Sequence, residues 1–377
     1  MIKSIHLAVV AIMLAPATGA AQDFDAGLSA YDDGKYATAL QELRPLAEQG
    51  NAAAQFNLGV MYRQGQGVPQ DDSEAVRWYR MAAEQGIAVA QYNLGYAYAN
   101  GQGVPQDDAE ALNWYRPAAE QGFAAAQSNL ALMYDKGQGV PQDDAEAVRW
   151  FKLAAEQGDA QAQFFLGLRY RIGRGVPQDD AEAVRWYHLA AEQGYAQAQF
   201  NLGNAYSKGR SVPRDNAEAV RWYKLAAEQR IAAAQFNLGV IYDQGLGVTQ
   251  DDSEAVRWYR MAAEQGYAAA QYNLGHAYAN GQGVPRDAAE AVRWYRMAAE
   301  QGHAKAQYNL GAVYGNGQGV PQNYVTAHMW FNVAAASGVD NAAKNREVVA
   351  SRLTVADISE AQRLAQECVN SGYQECG

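Results

Sequence analysis

The chain has 377 residues, of which 49% are hydrophobic and 19% charged, and it carries a formal charge of −11. That balance provides ample apolar surface for a folded core and lacks the signature of disorder. The acidic excess argues against nucleic acid or an anionic membrane surface as a partner, because both call for a basic patch.

Residues 1–22, MIKSIHLAVVAIMLAPATGAAQ, combine Lys3, an apolar run from Ile5 to Ala15 and small residues at Ala17, Gly19, Ala20 and Ala21. This is the pattern of a cleavable secretory signal over 1–21, cut after Ala20 or Ala21. The run falls short of the roughly 20 residues needed to cross a bilayer, and no later segment is long enough. The mature chain is therefore expected to be periplasmic or secreted, monomeric and without an integral membrane segment. No cysteine lies near the cut, so a lipid-anchored N-terminus is not expected.

From residue 51 the chain repeats. Blocks of 36 residues run 51–86, 87–122, 123–158, 159–194, 195–230, 231–266, 267–302 and 303–338, and every tryptophan falls at one offset, from Trp78 to Trp330. A register kept over eight units marks a repeat protein. Block 231–266 differs from block 51–86 at only five positions, which points to duplication within the chain.

In the first block, Ala54, Leu58 and Tyr62 recur at i, i+4 and i+8, the stripe of an amphipathic helix, here called helix A. Gly59 leaves room for a second helix to approach closely. Gly65-Gln66-Gly67-Val68-Pro69 breaks the helix. A phosphate loop would require a preceding strand and a following Lys-Ser or Lys-Thr, and neither is present. Helix B opens on Asp71-x-x-Glu74, read as a capping box in which each side chain satisfies an orphan amide. The box recurs at Asp107/Glu110, Asp143/Glu146, Asp179/Glu182, Asp215/Glu218, Asp251/Glu254 and Asp287/Glu290. Seven copies at helix starts read as caps rather than acid–base dyads or metal ligands. Ala75, Trp78, Tyr79, Ala82 and Ala83 form the buried stripe of helix B, and Gly86 ends it in the left-handed conformation. One hairpin cannot bury both stripes, so neighbours must stack.

The pattern A-x-A-Q-x-x-L-G-x-x-Y, then G-x-G-V-P-Q-D, then A-x-x-W-Y-x-x-A-A-E-Q-G resembles the Sel1-like repeat, a relative of the tetratricopeptide repeat, over residues 51–338. The resemblance implies an all-α, right-handed α-solenoid of helix-turn-helix repeats. Residues 24–50 look like a tetratricopeptide-type capping hairpin, and 339–377 like a C-terminal helical cap and tail, with Thr354-x-x-Asp357 starting its last helix. It further implies a scaffold or adaptor in protein complexes, in bacteria often in the envelope, with no cofactor and a protein or peptide as partner.

In related repeats helix A builds the inner wall, and asparagine side chains hold an extended partner backbone. The sixth residue of helix A is Asn57, Asn93, Asn129, Asn201, Asn237, Asn273 and Asn309, with Phe165 interrupting the row in the fourth block. An amide offers both donor and acceptor to a peptide backbone. The other reading is that the row links adjacent repeats. Specificity is expected where repeats differ. Offset ten reads Val60, Tyr96, Leu132, Leu168, Asn204, Val240, His276 and Ala312. Offset thirteen reads Arg63, Ala99, Asp135, Arg171, Ser207, Asp243, Ala279 and Gly315. The partner-binding candidates are thus the asparagine row with Val60, Arg63, Tyr96, Asp135, Asn204, Val240, Asp243 and His276.

Three further readings concern the rest of the chain. Some cysteine-rich relatives are described as β-lactamase or penicillin-binding proteins, but no S-x-x-K occurs here and the stapling cysteines are missing. Polysaccharide binding is the other alternative, prompted by 24 tyrosines and eight tryptophans. The five histidines are scattered, with no H-E-x-x-H pair, so neither a catalytic nor a metal residue is assigned. Cys368 and Cys376 are read as a local disulfide pinning the tail, with an intermolecular bridge as the alternative. Arg230 replaces a helix-ending glycine, which predicts a change of twist or a weak hinge between blocks five and six.

Overall fold

The computed structural model describes residues 20–374 and 376, all helix and loop. Most of the expected signal segment, 1–21, lies outside these residues. Helices α1 (Ala20–Asp32) and α2 (Tyr36–Glu48) form the first hairpin, and α1 starts where the cut is expected.

The eight repeats follow as α3 (Ala52–Gln64) and α4 (Asp72–Glu84), α5 (Ala88–Asn100) and α6 (Asp108–Glu120), α7 (Ala124–Lys136) and α8 (Asp144–Glu156), α9 (Ala160–Ile172) and α10 (Asp180–Glu192). The second four are α11 (Ala196–Lys208) and α12 (Asn216–Glu228), α13 (Ala232–Gln244) and α14 (Asp252–Glu264), α15 (Ala268–Asn280) and α16 (Ala288–Ala299), α17 (Ala304–Asn316) and α18 (Tyr324–Ala336). Helices α19 (Ala342–Ala350) and α20 (Val355–Asn370) close the chain. This is an α-solenoid. It divides into two compact units between residues 190 and 191, inside α10.

Seven of the eight repeat hairpins close around a helix A glycine; the third carries Ala131 at that position. A Cβ on Gly59 would sit 2.6 Å from the Tyr79 ring, and Gly95 and Tyr115 repeat the relation. Ala54, Leu58, Ala75, Trp78, Tyr79, Ala82 and Ala83 are all buried, as their spacing requires. The indoles pack between helix A of their own repeat and helix B of the one before. Trp258 joins the cluster of Ala219, Leu238 and Ile241, and Trp294 joins that of Ala255, Leu274 and Ala277. Burial therefore couples neighbours, and stability accrues across interfaces rather than within hairpins.

The helix B start differs from the expected capping box. Asp71 caps, accepting from the amides of Ser73 and Glu74, but Glu74 does not reach back. The Asp71 amide is already donated to the Tyr62 carbonyl at 2.9 Å, so Glu74 pairs instead with Arg77 at 3.0 Å. The same substitution holds at Asp143, whose amide goes to the Tyr134 carbonyl while Glu146 binds Arg149. The reciprocal box does form at Thr354 and Asp357, where α20 begins.

The loop glycine Gly86 takes φ 86°, and Arg230 takes the same left-handed region at φ 65°. Cys368 and Cys376 are joined as a disulfide, and both are buried beside Ala361 and Ala365.

Candidate functional site

The helix A face begins with what is buried beneath it. Gln55 is 1% exposed, and its Nε2 donates to the Ala47 carbonyl of the preceding hairpin at 3.0 Å. Its Oε1 accepts from Gln85 Nε2 at 2.7 Å. The same ladder runs through Gln91 and Gln121, Gln127 and Gln157, Gln235 and Gln265, and Gln271 and Gln301. Each buried amide thus donates to the preceding repeat and accepts from helix B of its own, and the donated bond fixes the register of stacking. The A-x-A-Q pattern shows this glutamine in every block, but the bond partner lies 30 residues away.

Five of the seven asparagines in the row are engaged by the protein itself, while the buried Asn93 Nδ2 has no hydrogen-bond partner among the described residues. Asn129 meets the hydroxyls of Tyr92 and Tyr115, both from the preceding repeat. Asn237 meets Tyr223, Asn273 meets Tyr259, and Asn309 meets Tyr272 and Tyr295. Burial pushes the Tyr295 hydroxyl up to about 12, with the Asn309 amide working against it. Asn57 has no tyrosine before it, since Leu43 holds that position, and it donates to its own helix at the Ala53 carbonyl. Asn57 and Asn93 are each 3% exposed, which leaves neither open to a partner backbone. Asn129, Asn201, Asn237, Asn273 and Asn309 are half-buried.

The interruption at Phe165 follows the same logic. The third repeat carries Phe151 where the others described above carry tyrosine, so no hydroxyl needs an amide. Phe165 stacks on Phe151 instead, with ring centroids 5.5 Å apart and an interplanar angle of 19°.

One charged pair at this step escapes sequence reading. Offset eleven is apolar in the blocks (Met61, Ala97, Met133, Ala205, Ile241, Ala277, Val313) except for Arg169. Arg169 is 4% exposed and forms an ion pair with Asp135 of the preceding helix A. Beside it, Arg174 Nε binds Asp144 Oδ2 at 2.8 Å. The sequence places Asp135 on the partner-facing surface. In the structure its carboxylate is taken by Arg169, because offset thirteen faces offset eleven of the next repeat. The break in the apolar column was the available signal.

The remaining variable positions are open to solvent to different degrees. Val60, Arg63, Tyr96, Asn204, Val240 and Asp243 are half-buried, and His276 is exposed. Asn204 accepts from the Tyr223 hydroxyl at 2.8 Å. Asp243, Asn273 and His276 come together in a cleft of about 120 Å³ with Tyr259 and Ala277. Among the described residues, no group of three or more His, Cys, Asp and Glu side chains is placed to hold a metal ion. No described helix is long and apolar enough to cross a membrane.

Comparison with known proteins agrees with the repeat geometry. The Sel1 repeat family profile matches residues 52–87, 88–123, 124–159, 160–195, 196–230, 232–267, 268–303 and 304–339. The chain is similar to a protective antigen of uropathogenic Escherichia coli strains that displays an SLR fold. The two are 34% identical at a TM-score of 0.63, over 94% of this chain and 85% of the other. It is also similar to a Sel1 repeat protein of Oxalobacter formigenes, at 38% identity and a TM-score of 0.60, over 81% of this chain and 88% of that one. No curated protein matches the chain.

Proposed function

Because the chain belongs to the Sel1 repeat family, whose solenoids are generally protein-interaction scaffolds, we propose that it is a non-catalytic scaffold or adaptor of the bacterial cell envelope, holding a protein segment along the helix A face. The carrying observation is a division of labour between offsets. The repeated glutamines, tyrosines and tryptophans and most of the asparagines are engaged in closing hairpins or joining repeats, as described above. The residues that differ from block to block, Val60, Arg63, Tyr96, Val240 and His276, retain exposed surface on helix A. A partner read by this chain meets those residues.

The N-terminal Lys3, apolar run and small residues support export. N-terminal sequencing of the mature protein is expected to begin at Ala21 or Gln22. Photo-crosslinking from positions 60, 96, 240 and 276 in intact cells tests the face. Defined protein adducts from these positions are expected, whereas adducts confined to helix B would place the partner on the other side.

A further inference from the structure

The chain carries aspartate at offset thirteen twice, at Asp135 and Asp243, and the two copies differ in what fills the space before them. At Asp135 the next repeat supplies Arg169, whose guanidinium pairs with the carboxylate, and Arg174, which binds Asp144. At Asp243 the equivalent positions are Ala277 and Gln282, and the equivalent of Asp144 is Asp252. Both arginines are gone while both carboxylates remain, and the cleft of about 120 Å³ lies where they would be. Among the described residues, neither Asp243 nor Asp252 has a basic partner. Asp243 accepts only a long bond from the Tyr259 hydroxyl at 3.5 Å, and Asp252 accepts from Gln250 at 3.2 Å.

We propose that this cleft receives the arginine side chain of a bound protein segment, its guanidinium lying between Asp243 and Asp252 as Arg169 and Arg174 lie against Asp135 and Asp144. The molecule itself pairs each of the equivalent carboxylates with an arginine, Arg169 and Arg174. A planar guanidinium presents five donors in a fixed fork and can bridge two carboxylates, whereas an ammonium is a compact point charge. Asn273 and Gln282 line the wall with amide groups, and His276 stands exposed at the rim beside Asn280. The half-buried setting of Asp243 raises the worth of a charged contact above that of a surface pair. Ala277 is the specificity element, because its small side chain leaves the volume open. This inference rests on the scaffold reading for the source of the arginine, but the cleft can be tested without a partner.

The probe is N-acetyl-argininamide, titrated into the full-length mature protein and followed by amide shifts or calorimetry. Saturable binding is expected, weakened at least tenfold by Asp243→Asn and at least tenfold weaker for N-acetyl-lysinamide. Ala277→Arg is expected to fold with an unchanged or raised thermal midpoint, since the same pair exists at Asp135 and Arg169, and to abolish probe binding. In cells it should also remove crosslinks from position 276 while leaving those from position 60. Equal binding of the two probes, displacement of the arginine probe by Mg²⁺ alone, or binding unchanged by Ala277→Arg would overturn the proposal. Crosslinks absent from every position would instead sink the scaffold reading, and the argininamide titration would still decide the cleft.

Discussion

Phe165 stacks on Phe151 at the step where other repeats set an asparagine against a tyrosine hydroxyl. The two substitutions compensate one another: a lost hydroxyl removes the need for an amide. Transplanting the exchange should show the coupling. Asn129→Phe alone is expected to cost about 1–3 kcal/mol, because the Tyr115 hydroxyl is left buried and unpaired. Tyr115→Phe together with Asn129→Phe should recover part of that loss. Urea unfolding of the four-member cycle measures the interaction term, which would be near zero if the residues were independent.

The Asp135 and Arg169 pair is a second exchange with an internal precedent. Arg169→Met alone leaves Asp135 charged and largely buried, and should destabilise by about 3–5 kcal/mol. Adding Asp135→Ala gives the combination found one step earlier, Ala99 before Met133. The double variant is expected to be neutral, or more stable by up to ~4 kcal/mol. A double variant as damaged as the single one would show that the pair contributes more than mutual neutralisation.

Gly59 marks the closest approach within a hairpin. Gly59→Ala places a methyl group 2.6 Å from the ring of Tyr79, which is 2% exposed and has nowhere to move. The expected loss is about 1–3 kcal/mol from overpacking. That outweighs the ~1 kcal/mol alanine gains in helix propensity. Thermal melts of this variant beside Gly315→Ala, whose new methyl would meet nothing closer than 3.7 Å, separate packing from propensity.

Arg230 holds a left-handed conformation at φ 65°. Arg230→Gly should therefore raise stability by roughly 0.5–1 kcal/mol, the strain relieved less the extra freedom of the unfolded chain. A weak hinge between the fifth and sixth repeats would show as reduced amide protection around Arg230 that the glycine variant restores. Equal protection on both sides in the parent chain would count against the hinge.

His303 stacks on Tyr272 with ring centroids 4.7 Å apart, and burial, aided by Lys305, holds its pKa below the ordinary 6.5. The unfolded chain then takes up a proton before the folded chain does. The stabilising contribution is complete above 6.5 and is lost as pH falls through that value toward the lower folded-state pKa. His303→Phe, the residue found at Phe123, should remove this part of the acid sensitivity. Urea midpoints at about pH 7.5 and about pH 5.5 should converge in the variant relative to the parent.

Much of this protein was legible without coordinates. Offsets repeated eight times determine helix positions, the close approach at Gly59, the buried Trp78 and Tyr79 stripe, and the left-handed turn at Arg230, because each depends on local conformation and spacing. What a group bonds beyond its own helix is not local. The partner of Gln85 is 30 residues away, the Asp71 amide is claimed by the Tyr62 carbonyl before Glu74 can reach it, and Asn129 meets tyrosines on two helices. Only stacking decided that Asp135 is neutralised by Arg169 while Asp243 faces an open cleft. Both are the same residue at the same offset, and the difference lies in the volume the next repeat contributes.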